Sequence, residues 1–412
     1  MINLERSVAG DFTGHGSVGA DALQSSRMTR LLSDLSPTSV EEFWASLDGP
    51  LIEPDGDSYL VTFLWRGTAS VARAWWGVDV PLARVPGTDL WYGTQRMPAD
   101  LHTTYVLAHE GAAHSPRDTT GSGVTHIDLT NPHRLHFPAD PGDPDDYDSW
   151  VSVLTLPAAP AEPWTAPRPG VPAGSLTSAV LPGKALGGPR DVAVYRPSGV
   201  PATGLPVLVV FDGFLARHVL RLPTVLDNLI AAGAIPPMVA LFVSSREKSR
   251  EQDLAPTRPI HVFVEHELMP WAAERLGAGD PGRNVIGGVS RGGLAAAYVG
   301  LCAHELFGGV VAQSGSFWWP SPAEGEPGWL TRQVTRYPKV DVRFYLDVGV
   351  RETMAGPGGA PDQVTVVRQM RDTLAGHGYS VAYTEYQGGH DYVNWRRTFP
   401  EGLIAVTGGR PF

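Results

Sequence analysis

Between Asn284 and Gly300 the chain reads NVIGGVSRGGLAAAYVG, a serine set among four glycines, with an apolar run before it and alanines after it. Gly288-x-Ser290-x-Gly292 has the form of a nucleophile elbow, in which a sharp turn between strand and helix lifts a serine hydroxyl above the edge of a sheet. The glycines have a steric reason. The serine of such a turn is held in a strained backbone conformation, and side chains two positions away would collide with the neighbouring strand or helix.

A serine hydroxyl is a poor nucleophile at neutral pH and needs a base. Where an elbow carries the serine, the acid and then the histidine follow it along the chain. Three histidines lie downstream, at 304, 377 and 390. His304 belongs to the helix after the serine, and His377 in LAGHGYS reads as a helix C-terminal residue facing the dipole. His390 ends a strand in YQGGHDYVNW, where two glycines let the chain turn back over the active edge, and it is the expected base. Asp347, Glu352 and Asp391 are the candidate acids. Glu352 is favoured because it stands three residues beyond Gly349, just past a strand end, where a loop can reach an imidazole and hold its tautomer. An oxyanion hole needs two backbone N–H groups. One is expected from Arg291, and the other from the turn after VLVVFDG, at Gly213 or Phe214. Asp212 is expected to brace that turn.

These groups need a scaffold, and the chain changes texture along its length. The first 37 residues, rich in Gly, Ser and Ala, are expected to be mobile. SPTSVEEFWASL then reads as a capped helix with Phe43, Trp44 and Leu47 on one face. From about 38 to 156, short runs such as YLVTFLW, VARAWWGV and LWYGTQRM alternate with Gly, Pro and Asp breaks, the pattern of an antiparallel β-sandwich. Six prolines between Pro157 and Pro172 mark a semi-rigid connector over 157–173. From 174 to 412, apolar strand candidates (LPVLVVFD, MVALFVS, NVIGGV, GGVVAQSG, VRFYLDVG, VAYTEYQG) alternate with helical segments. The fold class is therefore α/β, with a doubly wound, mainly parallel sheet following the sandwich.

Bulk properties narrow the function classes. With 412 residues, 42% hydrophobic and 18% charged, the chain suits two globular domains. A formal net charge of −11 lacks the basic footprint of a nucleic-acid or anionic-membrane binder. The single cysteine, Cys302, cannot form an internal disulfide and reads as a small buried side chain. The opening MINLERSVAGDFTGHG has no apolar signal core and no run is long enough to span a membrane, so a cytoplasmic protein is expected. No resident metal or cofactor is expected.

FDGF, SSREKSREQDL, VEHELMPW, GGVSRGGLAA, FGGVVAQSGSFWWP, DVGVRE and GGHDYVNWRRTFPEGL, with YLVTFLWRG, GTDLWYG and DLTNP in the first half, together resemble the enterochelin (enterobactin) esterase family over residues 40–407. The resemblance implies α/β-hydrolase enzymes that cleave trilactone siderophores in the cytoplasm so that iron leaves the ferric chelate. Ser290 then corresponds to the nucleophile and His390 to the base. Arg291 departs from the small or apolar residue expected after the nucleophile. It either faces solvent or brings cationic charge to the mouth of the site.

A ferric tris-catecholate is anionic, so an acidic protein must attract it locally. Arg246, Lys248 and Arg250, in a loop at the same edge as the serine, are the candidates, with Arg250 favoured by its REQDL context. Trp318, Trp319 and Trp395 could offer faces to planar catechols. An alternative keeps the catalytic groups but changes the acyl acceptor or the substrate, giving an esterase or thioesterase-like acyltransferase acting on another peptide lactone or on a glycan ester. In that case Trp65, Trp75, Trp76 and Trp91 could form a sugar platform, although alternating strands favour their burial.

Overall fold

The computed structural model describes residues 25–109, 125–201, 203–277 and 279–408. Among these the first unit holds nine strands: β1 (Leu51–Asp55), β2 (Ser58–Arg66), β3 (Ala72–Trp76), β4 (Asp79–Arg84), β5 (Leu90–Pro98), β6 (His102–His109), β7 (Thr125–His126), β8 (Arg134–Phe137) and β9 (Ser149–Thr155). Their order is β1-β2-β5-β4-β3-β6-β9-β8, with β7 beside β6, and every pairing is antiparallel. The sheet curls on itself. The rings of Phe63 on β2 and Tyr105 on β6 meet edge to face at 5.0 Å although three strands separate them in pairing order.

Two helices precede this sheet, α1 (Ser26–Leu32) and α2 (Pro37–Ala45). Ser25 and Ser36 cap them by accepting from Met28 N and Ser39 N. Met28 and Leu31 are buried against Leu64 and Leu90, so the expectation of a mobile start as far as residue 37 reaches too far. An amphipathic turn too short to stand out in a Gly- and Ser-rich stretch is fixed by that apolar contact. Residues 1–24, the rest of that expectation, lie outside the described residues.

After an irregular stretch through the proline-rich segment come β10 (Ser175–Leu181), β11 (Arg190–Arg196), β12 (Val207–Phe211), β13 (Val239–Val243), β14 (Val285–Val289), β15 (Gly309–Gln313), β16 (Arg343–Gly349) and β17 (Ser380–Tyr386). They form one sheet in the order β10-β11-β13-β12-β14-β15-β16-β17. β10 and β11 run antiparallel, and from β13 onward all pairings are parallel. The interleaved helices are α3 (Gly213–His218), α4 (Leu222–Ala231), α5 (Arg250–Asp253), α6 (Arg258–Val262), α7 (Met269–Leu276), α8 (Arg291–Cys302), α9 (Trp329–Val334), α10 (Gln363–Gly376) and α11 (Tyr392–Thr407). Alternate residues of β12 enter two cores: Val207, Val209 and Phe211 on one side, Leu208 and Val210 on the other. A strand buried on both faces shows a continuous apolar run, as LPVLVVF does.

The proline-rich segment is tied down along its length. Asn228 Nδ2 on α4 donates to the carbonyls of Trp164 and Ala166, and Arg396 Nη2 on α11 donates to Glu162 Oε1 at 2.8 Å. Cys302 lies exposed at the end of α8, not buried as expected, because it falls on the outer side of the helix's last turn. No helix among the described residues is long and apolar enough to cross a membrane.

Candidate active site

The elbow stands between β14 and α8, at the centre of the parallel sheet with β12 and β15 on either side. Ser290 adopts φ 54°, ψ −117°, a strained region for a residue with a side chain. Its N–H donates to Gln313 O at 2.8 Å and its carbonyl accepts from Ser316 N at 3.0 Å, which pins the turn to the end of β15. A Cβ on Gly288 would sit 2.5 Å from the carbonyl carbon of Gly292, a backbone atom that no rotamer change can move. Gly292 in turn lies beside β12, where a Cβ would come within 3.2 Å of Asp212 Oδ2.

His390 comes in on the loop after β17. Its Nε2 is 3.0 Å from Ser290 Oγ, and its Nδ1 is 2.5 Å from Glu352 Oε2. The other carboxylate oxygen of Glu352 accepts from Gly349 N and from Ser314 Oγ, both at 2.7 Å. Backbone and hydroxyl donors therefore fix the acid's orientation before it meets the imidazole. Trp395 packs edge-on under the His390 ring at 4.7 Å and donates its indole N–H to Ser314 Oγ. This arrangement of hydroxyl, imidazole and carboxylate can activate Ser290 Oγ for attack on an acyl carbon.

The two other candidate acids are near but differently engaged. Asp347 is wholly buried, and burial pushes its carboxyl up to about 7 against the pull of the Thr398 and Gln313 hydrogen bonds. Asp391 caps α11 through Asn394 N and also accepts from Thr103 Oγ1 of the first unit at 2.7 Å. Neither is bonded to His390.

The turn carrying Gly213 and Phe214 starts α3 directly after Asp212, which sits in the left-handed region at φ 53°. Gly213 packs so closely on β13 that a Cβ would lie 2.3 Å from the carbonyl carbon of Phe242. Arg250 holds this turn from behind: its Nε and Nη2 donate to the two oxygens of Asp212 at 2.8 and 2.6 Å, with both side chains buried. Burial alone would raise the Asp212 carboxyl, but Arg250 overcomes it and keeps Asp212 below the ordinary carboxylate range. Arg250 was expected to bind substrate. Its charge is instead committed to Asp212, because a buried guanidinium needs a fixed anion.

The remaining cationic expectations are also redirected. Lys248 is exposed and pairs with Asp145 at 2.8 Å, while Glu247 N donates to Asp143, so this loop is docked on the acidic 140–146 segment. Arg246 is exposed beside the same segment. Arg291 does not face solvent. It is 5% exposed, donates through Nη2 to Glu251 O at 2.7 Å, and places its guanidinium 5.6 and 6.0 Å from the rings of Trp318 and Trp319. Those two tryptophans are half-buried at the edge beside the nucleophile. Trp395 is fully buried and cannot be a ligand wall: a side chain that supports an imidazole is itself covered.

Sequence reasoning overlooked three residues at the site and gave a fourth, Trp76, a different role. Ser316 Oγ lies 3.3 Å from Ser290 Oγ, and Ser314, at φ 41°, orients Glu352. Both are in AQSGSF, a strand-end loop at the active edge, which was the available signal. Trp76, at φ 97°, sets its ring 6.4 Å from His390, and Thr103 reaches Asp391. These two come from another unit, and no local pattern marks them. Trp75 and Trp91 are buried, so the four tryptophans form no exposed platform for sugars. Among the described residues no cluster of three or more His, Cys, Asp or Glu could hold a metal ion.

An esterase family model matches residues 183–406, and the model of the enterochelin esterase N-terminal domain matches residues 60–165. The iron(III) enterobactin esterase of Dickeya dadantii is 32% identical over 91% of this chain and 95% of its own length. That of Escherichia coli K12 is 27% identical over 88% and 95%. The crystal structure of an enterobactin esterase from Shigella flexneri, obtained in the presence of enterobactin, shares the fold. It has a TM-score of 0.70 at 24% identity, covering 89% of this chain and 97% of that one.

Proposed function

The chain belongs to the enterobactin esterase family, and on that premise we propose that it is a serine esterase hydrolysing the lactone esters of a ferric catecholate trilactone siderophore. The observation that carries this reading is the unbroken path from Ser290 Oγ through His390 to Glu352, at 3.0 and 2.5 Å. His390 Nε2 takes the hydroxyl proton as Oγ attacks a lactone carbonyl. The N–H groups of Arg291 and of Gly213 or Phe214 receive the oxyanion. Collapse of the tetrahedral intermediate breaks the ring C–O bond, and His390 returns the proton to the departing alkoxide. The ring opens to an acyl chain esterified to Ser290, and water attacking with His390 as base releases the linear acid. Glu352 keeps the proton of the neutral imidazole on Nδ1 and stabilises the imidazolium.

Iron enters only as part of the substrate, and the reaction needs no resident cofactor. Trp318 and Trp319 are the catechol-facing surfaces of this reading, and Arg291, held beside them, is the local cation. In the same reading residues 38–156 form a β-sandwich, 157–173 a connector and 174–412 a doubly wound α/β-hydrolase domain, working in the cytoplasm on iron already imported.

The test is a time course of products by mass, from iron-loaded and iron-free trilactone. Each ester cut adds one water, and linear intermediates precede the monomer. Ser290→Ala abolishes the conversion. Trilactone left intact by the wild-type chain under conditions where it hydrolyses a simple aryl ester would overturn the substrate assignment.

A further inference from the structure

The loop that carries His390 is held from outside its own domain. On β6 of the first unit, His102 N donates to Gln387 O at 3.0 Å, and Asn394 Nδ2 donates back to His102 O at 2.6 Å. Between these two ties stands one hydroxyl. Thr103 Oγ1 donates to Asp391 Oδ2 at 2.7 Å and accepts from Gly389 N at 3.3 Å. The residues immediately before and after His390 thus converge on a single side chain of the other domain. Thr104 N adds a further donor to the same carboxylate oxygen at 3.3 Å.

The contact leaves no slack. Thr103 is fully buried, and a Cβ on Gly389 would lie 2.7 Å from the Cα of Gly77. Arg351, one residue before Glu352, donates to Gly77 O as well. The strand end beside Gly77 also brings Trp76 to the His390 ring through a backbone conformation at φ 97° that is strained for any side chain. The imidazole itself hydrogen-bonds to Glu352 and Ser290 within the catalytic unit, where Arg351 N also donates to Gly388 O at 3.1 Å, and the ties from the first unit hold the residues on either side of His390.

We infer that the N-terminal domain is a positioning part of the catalytic machinery, with the Thr103 hydroxyl setting the His390 loop in register with Ser290. This rests on reading Ser290 and His390 as the catalytic pair. Its role is distinct from siderophore binding, so it acts on any ester that Ser290 attacks, including one too small to reach the N-terminal domain.

The experiment measures kcat and KM of the full chain on p-nitrophenyl acetate. Thr103→Val keeps the shape and removes the hydroxyl. It lowers kcat roughly tenfold to a hundredfold, the effect of a displacement of about 1 Å in a catalytic group, while KM moves less than about twofold. Thr103→Ser restores most of kcat. Should valine not be accommodated, Thr103→Ala lacks the same hydroxyl and carries the same expectation. A kcat within about twofold of wild type in the folded hydroxyl-less variant, or a serine variant as impaired as the valine one, overturns the inference. Ser290→Ala, run alongside, separates the two levels: retained turnover there removes the catalytic pair, whereas its loss with a normal Thr103→Val removes the positioning role alone.

Discussion

Replacing Glu352 by glutamine tests the acid assignment through the hydrogen-bond directions around it. The two oxygens of Glu352 face different partners. One accepts from Gly349 N and Ser314 Oγ, and the other meets His390 Nδ1. A backbone N–H can only donate, so the amide nitrogen of the substituted side chain cannot occupy the position facing Gly349. It must turn toward His390 and donate to Nδ1. The imidazole is then forced into the tautomer with its proton on Nε2, the nitrogen that should take the proton of Ser290. The expected loss in kcat is roughly 10⁴-fold, the size seen when the acid of a serine triad is turned into its amide. That corresponds to about 5 kcal/mol. KM on a small ester stays near wild type because the carboxylate touches no substrate, and the melting temperature holds or rises because a buried charge is removed. Steady-state kinetics on p-nitrophenyl acetate, with Asp347→Asn and Asp391→Asn in parallel, decide the matter. A Glu352→Gln enzyme within about tenfold of wild type, or an Asp347→Asn loss of equal size, would refute the reasoning.

Three further outcomes follow from the geometry. Gly288→Ala drives a Cβ into the backbone of Gly292, so it destabilises by about 3 kcal/mol or more and abolishes labelling of Ser290 by a fluorophosphonate; thermal melting and intact mass report both effects. At Glu162, burial alone would raise the carboxyl, but His102 and Arg396 hold it at about 2, below its ordinary value of 4.5. A depressed carboxylate stabilises the fold above its unfolded pKa and loses that contribution as the pH falls through its folded one. Glu162→Gln therefore weakens the fold by about 1–2 kcal/mol near neutrality, with variant and wild type converging in denaturant titrations as the pH falls from 4.5 to about 2. Glu251 sits 2.8 Å from Arg291 Nε as its counter-ion and is 45% exposed. Glu251→Gln frees positive charge at the active edge and lowers KM for the anionic ferric trilactone roughly threefold to tenfold, with no matching change for a neutral ester, a difference that added salt reduces.

The parallel sheet and its elbow were readable because each follows from a local pattern. Apolar runs such as LPVLVVF betray strands buried on both faces, and glycines at fixed spacing around Ser290 betray the turn. The histidine followed from chain order and from the two glycines before it. Glu352 could be preferred because a strand end plus a short loop has only so much reach. What stayed illegible is the consequence of charges meeting across the fold. Arg250 looked like an anion receptor in REQDL, and only the structure shows Asp212 taking its Nε and Nη2 while Glu251 takes its Nη1. Lys248 likewise meets Asp145 from a segment some hundred residues earlier. Trp395 was read by its residue type, whereas its work is to lie under an imidazole. Trp76 and Thr103 belong to strands whose alternation speaks only of packing, so their approach to His390 is a fact of how the two sheets meet.

The covalent intermediate is the most direct test. Iron-loaded trilactone mixed with the enzyme, quenched in acid within the first turnover and digested, should yield the peptide containing Ser290 carrying the mass of the ring-opened acyl chain. Hydroxylamine should remove it. Full turnover with no adduct on Ser290 at any time, together with an adduct on another residue, would contradict the account.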